Sequence, residues 1–361
     1  MAEVTKEQIE AAIKGYIEPH MEKNLVDAKC VKAVNIDGGS VSVTVELGFP
    51  SDGIKQALAA AVKDCVASVD GVSSVDVNVG WKVVAHSVQK SLKPIDNVKN
   101  IIAIASGKGG VGKSTTAVNM ALALAAEGAK VGILDADIYG PSQPRMLGVS
   151  GQPESKDGKS LEPMEAYGLQ AMSIGFLVDE ETPMIWRGPM VTQALEQLLN
   201  DTNWASLDYL IIDLPPGTGD TQLTLAQKVP VSGAVIVTTP QDIALLDARK
   251  GFKMFEKVEV PVLGIVENMS THICSNCNHE EHIFGEGGGK RMAEQYGVDF
   301  LGGLPLDIRI REETDGGKPT VVAEPDSRIS QIYREISRNT TAKLALQAKN
   351  YASKFPNIVI Q

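Results

Sequence analysis

Val41, Val43 and Val45 alternate with Ser42 and Thr44, the period-two pattern of a strand with one wet face. Ahead of it, Val4, Ile9, Ile13 and Ile17 recur at helical spacing as far as Pro19. Behind it the spacing predicts a helix over 54–69 and a second alternating run over 72–79. Residues 1–80 therefore read as a small α/β module, and 81–98, which contains Pro94, as a linker. From Asn100 the pattern changes. Apolar runs at 101–105, 131–134, 209–212, 234–237, 262–266 and 298–301 are separated by helical segments. Such runs suit strands buried on both faces, so 99–361 is expected to form a mostly parallel sheet flanked by helices, in an α/β fold. The polar stretch 148–161 reads as a surface loop, and 328–354 as a terminal helix docked through Ile329, Ile332, Tyr333 and Ile336.

Composition adds exclusions. The 361-residue chain has four cysteines, too few and too scattered for a disulfide framework. No apolar stretch approaches the ~20 residues of a spanning helix, and the first residues lack a basic-then-apolar leader. The expectation is a cytoplasmic protein without a membrane partner. A net charge of −11 argues against a broad footprint for nucleic acid.

The run Gly107-Lys108-Gly109-Gly110-Val111-Gly112-Lys113-Ser114-Thr115 matches the phosphate-loop spacing G-x-x-x-x-G-K-[ST]. It follows an expected strand and opens an expected helix, as such a loop must. Glycines let successive N–H groups point at phosphates, and the helix N-terminus adds partial positive charge. ATP is the expected ligand, with Lys113 bridging its β- and γ-phosphates and the Ser114 hydroxyl on Mg2+. Lys108 makes this loop similar to the deviant Walker A sequence of the MinD, ParA and nitrogenase iron-protein superfamily. That resemblance implies a homodimer in which Lys108 reaches the partner's nucleotide, in the role of an arginine finger.

Hydrolysis also needs metal and water in position. Asp135, Asp137 and Asp213 end apolar runs, where strand C-termini meet the ligand crevice of an open α/β sheet. Asp213 is expected to organise Mg2+ from its second coordination sphere and Asp137 to orient the attacking water, while Asp135 is a further Mg2+ candidate. Residues 213–220, rich in Pro and Gly, read as a switch that senses the γ-phosphate. Asn268, just past a strand, could bind adenine through its amide.

Cys274-Ser275-Asn276-Cys277 is a C-x-x-C flanked by His272, His279 and His282. Thiolates at this spacing suit zinc, with two histidines completing a tetrahedron, or an iron–sulfur cluster. A cluster wants four thiolates, which two copies of the chain would supply. A catalytic dithiol is the third option.

Taken with the 135–142 segment, the Trp186-Arg187-Gly188-Pro189-Met190 segment, the 213–220 segment and Glu267-Asn268-Met269-Ser270, these motifs resemble the Mrp/ApbC family of iron–sulfur cluster carriers over roughly 98–326. The resemblance implies a 4Fe-4S cluster bridged between subunits by Cys274 and Cys277, with ATP tuning its transfer from cluster donors to iron–sulfur apoproteins. The N-terminal module resembles a domain of iron–sulfur assembly factors that often carries a cysteine after its strand pair. Here 48–53 has none, and Cys30 and Cys65 are expected to be buried. A partitioning ATPase of the ParA/MinD type and a zinc-stabilised nucleotide-dependent scaffold are the competing readings.

Overall fold

The computed structural model describes residues 4–89, 92–178, 188–274, 276, 277 and 279–347. In chain order the N-terminal part holds α1 (Lys6–Lys14), β1 (Ile17–Glu18), β2 (Lys23–Asn24), β3 (Val31–Asp37), β4 (Ser40–Leu47), α2 (Lys55–Ala67) and β5 (Ser74–Trp81). Thr5 and Gln8 close a reciprocal capping box that starts α1. The helix stops at Gly15, so Ile17, expected on its apolar face, instead lies in β1 and is exposed. Strands β3, β4 and β5 form one sheet. Val41, Val43, Val45 and Leu47 point from β4 into a core shared with Ile9, Ile13, Leu58, Val62 and Val66 of the helices. Cys30 is buried there, but Cys65 is only half-buried, because it lies off the Leu58–Val62–Val66 stripe of α2.

The rest of the described chain runs β6 (Val98–Ala105), α3 (Lys113–Ala126), β7 (Val131–Asp135), α4 (Gln143–Leu147), β8 (Met164–Ala166), β9 (Leu169–Ser173), α5 (Gly188–Asn200), β10 (Leu207–Asp213), α6 (Asp220–Lys228), β11 (Gly233–Thr238) and α7 (Asp242–Lys257). There follow β12 (Val262–Ile273), β13 (Glu280–Glu281), α8 (Gly288–Tyr296), β14 (Phe300–Pro305), α9 (Ile308–Asp315), α10 (Thr320–Ala323) and α11 (Arg328–Ala345). Among the described residues nine strands form one sheet in the order β13-β12-β11-β6-β10-β7-β9-β8, with β14 also beside β12. The pairings of β6, β7, β9, β10, β11, β12 and β14 are parallel; only β8 and β13 run against their neighbours.

Alternate residues of each central strand face opposite layers. Ile102 and Ile104 of β6 pack with α3 and α11, while Ile101 and Ala103 pack with Leu195, Leu225 and Phe255 of α5, α6 and α7. Burial on both faces is why these strands read as unbroken apolar runs. Strand β6 lies between β10 and β11, so its loop emerges at the sheet's C-terminal edge near the point where strand order reverses, the place where open α/β sheets bind ligands.

The segment expected to be a linker is packed rather than free. Val83 joins the core beneath α3, and the buried Asn100 side chain accepts from the His86 backbone N–H at 3.0 Å. The N-terminal part also meets the far end of α3. Glu127 there is buried and accepts from Gly53 N at 2.8 Å and from Arg338 of α11 at 2.8 Å. A Cβ on Gly53 would come within 2.7 Å of the Glu127 carboxylate, so a larger residue there would have to displace the Glu127–Arg338 pair.

Candidate functional site

The phosphate loop leaves β6 and ends at Gly112, whose φ of 81° places it in the left-handed region just before α3 begins at Lys113. Gly110 is left-handed too. Gly107 is required for a different reason: a Cβ there would overlap the backbone of Asp247 and Ala248 in α7. The loop is thus wedged between its own helix and a neighbour. Ser106 Oγ donates to Lys108 O at 2.9 Å and ties its first turn. Lys108 is half-buried, and its ammonium makes no ion pair among the described residues.

Lys113 behaves differently. Its ammonium lies on Asp213 Oδ1 in a buried ion pair and donates to Ser114 Oγ at 3.1 Å. Asp213 ends β10 and is fully buried. Its other oxygen, Oδ2, accepts from Gln143 Nε2 at 2.9 Å. In register with Asp213 on the neighbouring strand is Asp135, also fully buried, whose Oδ2 accepts from the backbone N–H groups of Ser142 (2.8 Å) and Gln143 (3.0 Å) and from Ser173 Oγ (3.2 Å). Burial first, and the Asp213 charge second, push the Asp135 carboxyl well above the usual carboxylate range. Asp137 is half-buried; burial and Asp213 raise its pKa while Lys113 opposes them.

The structure therefore brings Lys113, Ser114, Asp135 and Asp213 together, with Asp137 close by. One residue that no sequence motif singled out completes the floor: Gln143 links Asp135, Asp213 and Ser114. On β12, Glu267 accepts from Ser270 Oγ at 2.8 Å and from the backbone N–H of Gly289 at the start of α8. Ser142 Oγ and Gln143 Oε1 are buried without a hydrogen-bond partner. An all-oxygen donor set with orphaned oxygens at its floor is the chemistry a hydrated hard cation prefers.

Asn268 does not project freely. Its Nδ2 donates to Val111 O at 2.9 Å, so its amide clamps the phosphate loop. Six residues further on, just past the end of β12, comes Cys274. Its backbone N–H donates to His279 O at 2.9 Å, closing a β12–β13 hairpin with the cysteines in its loop. Cys274 is half-buried and Cys277 exposed. The N–H groups of Asn276 and Cys277, with the Cys277 thiol, hold the Cys274 thiol below its ordinary value, which favours the ligating thiolate. The histidines do not converge on this pair. His272 Nδ1 pairs with Leu306 O and His282 Nδ1 with Ser270 O. Among the described residues no three His, Cys, Asp or Glu side chains form a metal-holding group. Trp186 and Arg187 lie outside the described residues, as do Ser275 and 348–354 of the expected terminal helix.

A family model described as "NUBPL iron-transfer P-loop NTPase" matches residues 97–341, more than half of the chain. The chain belongs to that family. A second model, "Iron-sulfur cluster assembly protein", matches residues 6–79. The iron-sulfur cluster carrier protein of Escherichia coli K12 is 49% identical over 348 residues, 96% of this chain and 94% of that one. That of Pseudomonas fragi is 61% identical over 274 residues, 75% of this chain and 96% of that one. The mouse iron-sulfur cluster transfer protein NUBPL is 52% identical over 254 residues, 70% and 80% of the two chains. Among solved structures, a nucleotide-binding protein of Archaeoglobus fulgidus in complex with ADP has a TM-score of 0.57 and 39% identity, covering 64% of this chain and 90% of that one. The Pyrococcus furiosus cell-division ATPase MinD, at 22% identity and TM-score 0.50 over 66% and 97% of the two chains, shares the fold. No helix among the described residues is long and apolar enough to cross a membrane.

Proposed function

We propose that this protein is an ATP-hydrolysing iron–sulfur cluster carrier, in which a 4Fe-4S cluster is held between two copies of the chain and passed to apoproteins. The observation that carries the reading is the short path along the chain from phosphate loop to thiols. Asn268 of β12 holds Val111 O, and Cys274 follows six residues later, just past the strand's end, so a nucleotide-driven shift of the loop has only a few residues to cross to reach the thiol pair. One chain offers two clustered thiols; a cluster wants four, and a second copy supplies them. Zinc in a single chain would need two histidines beside the cysteines, and among the described residues no such group converges, which favours the shared cluster. Residues 1–80 would form the assembly-type module, 81–98 its connector and 99–361 the ATPase, in a cytoplasmic protein.

Nucleotide would be held by the N–H groups of 107–115. Lys113 would leave Asp213 for the phosphates, an exchange that charge alone drives because the phosphate oxygens carry more negative charge than one carboxylate. Ser114 Oγ would hold Mg2+ directly and Asp213 through its hydration shell, with Asp135 beside it. Bound Mg2+ would supply charge neutralisation at the β- and γ-phosphate oxygens. Asp137 orients the attacking water, and Lys108 of each copy brings positive charge to the nucleotide of the other.

The test is anaerobic reconstitution with iron and sulfide. Wild-type protein should acquire one 4Fe-4S spectrum per dimer. Cys274→Ala and Cys277→Ala should each lose it while still binding ATP, because the phosphate loop does not depend on either thiol. Full iron and sulfide content in both variants would sink the ligand assignment.

A further inference from the structure

Asp213 has two side-chain partners, Lys113 on Oδ1 and Gln143 on Oδ2. If nucleotide draws Lys113 away, one remains. We propose that Gln143 is a positioning residue of the nucleotide site: its amide fixes the Asp213 carboxylate for Mg2+ once Lys113 has moved to the phosphates. The inference rests on the nucleotide reading above and deepens it.

Gln143 is fully buried at the start of α4, and both of its donor groups are spent on the site. Nε2 donates to Asp213 Oδ2 at 2.9 Å and also reaches the backbone oxygen of Ser114 at 3.2 Å. The backbone N–H donates to Asp135 Oδ2 at 3.0 Å. A single residue therefore spans the two buried carboxylates and the residue after the loop lysine. The remaining group, Oε1, is buried without a partner, an acceptor left over where the hydration shell of a cation needs acceptors.

A neutral amide is the side chain this place calls for. It orients Asp213 by donating, as Lys113 does, but adds no positive charge that would compete with a cation. A carboxylate there would be a third buried acid beside Asp135 and Asp213. A leucine would fill the volume but leave Asp213 Oδ2 unpaired, and a buried acceptor without a donor is costly.

The experiment titrates the full chain with a fluorescent ADP analogue in Mg2+ and in EDTA, with thermal unfolding as the folding control. In Gln143→Leu the Mg2+-dependent part of nucleotide affinity should fall by about tenfold or more, the usual effect of removing a side chain that orients a metal ligand, while affinity in EDTA stays at the wild-type level. Wild-type Mg2+ dependence in Gln143→Leu would overturn the proposal. So would an equal loss in Mg2+ and EDTA. If the wild-type protein itself gains no affinity from Mg2+, the nucleotide reading fails, and this inference with it.

Discussion

Gly107 meets the flank of α7 so closely that no side chain fits between them. Backbone, unlike the end of a flexible side chain, cannot swing aside. Gly107→Ala should therefore displace the loop and cost about 1–3 kcal/mol, read as a lowered Tm together with lost nucleotide binding. Most of this loop is legible in the sequence because its chemistry is backbone chemistry: glycine and lysine spacing alone specify where N–H groups can point. Gln143 was not legible. An amide carries no motif, and its role exists only because β7, β10 and the loop-to-helix turn bring three other residues within its reach. Asn268 lies between these cases: it was readable as a residue near the end of an apolar run, but the strand extends past it to Ile273 and its hold on Val111 O was not readable.

Elements buried on both sides announced themselves as apolar runs, and those that are short or half-wet did not. Strands β8 and β9 follow a long polar loop and are too brief for periodicity to build, while Ile17 mimicked one more turn of a helix that Gly15 had already ended. The contact between α11 and the N-terminal part was also invisible, because it is made by charged groups far apart in sequence. His20 lies buried between Glu18, at 2.6 Å, and Glu335 of α11, at 3.2 Å. Burial alone would lower its pKa, but the hydrogen bonds and charges of the two glutamates override this and raise it from 6.5 to about 9. A pKa raised by folding means stability that is complete below the unfolded value and is lost as pH rises through the folded one. Thermal unfolding of the full chain should thus show Tm falling between about pH 6.5 and 9, and His20→Gln should flatten that slope. A slope unchanged in the variant would assign the pH dependence elsewhere.

For the molecule as a whole, the doubly covered parallel sheet and its phosphate loop were predictable, and the docking of the N-terminal part against the ATPase part was not. The 81–98 segment looked like a tether because Pro94 interrupts it and its apolar residues follow no strand or helix period. Val83, Gln89 and Val98 are nevertheless buried against the ATPase part. The proposed pairing of two copies is a property of this scale too. Lys108 has no carboxylate partner in its own chain among the described residues, so its charge is available for the nucleotide of a second one. Lys108→Ala should bind ATP with near wild-type affinity and lose at least about 1,000-fold in turnover, the lower range for charge donated in trans. Wild-type turnover per chain should rise with protein concentration. Unchanged hydrolysis in the variant would remove the argument for a shared site.

Helix α3 starts at Lys113 and its last turn abuts Glu127, which holds Gly53 and Arg338. At 1.5 Å per residue it is a rod roughly 21 Å long, without a proline or glycine to absorb bending. A shift of its phosphate end would therefore move Glu127, and with it the Gly53 contact of the amino-terminal part, rather than be taken up by a bend. A spectroscopic label near Gly53 should then change its signal when nucleotide is added.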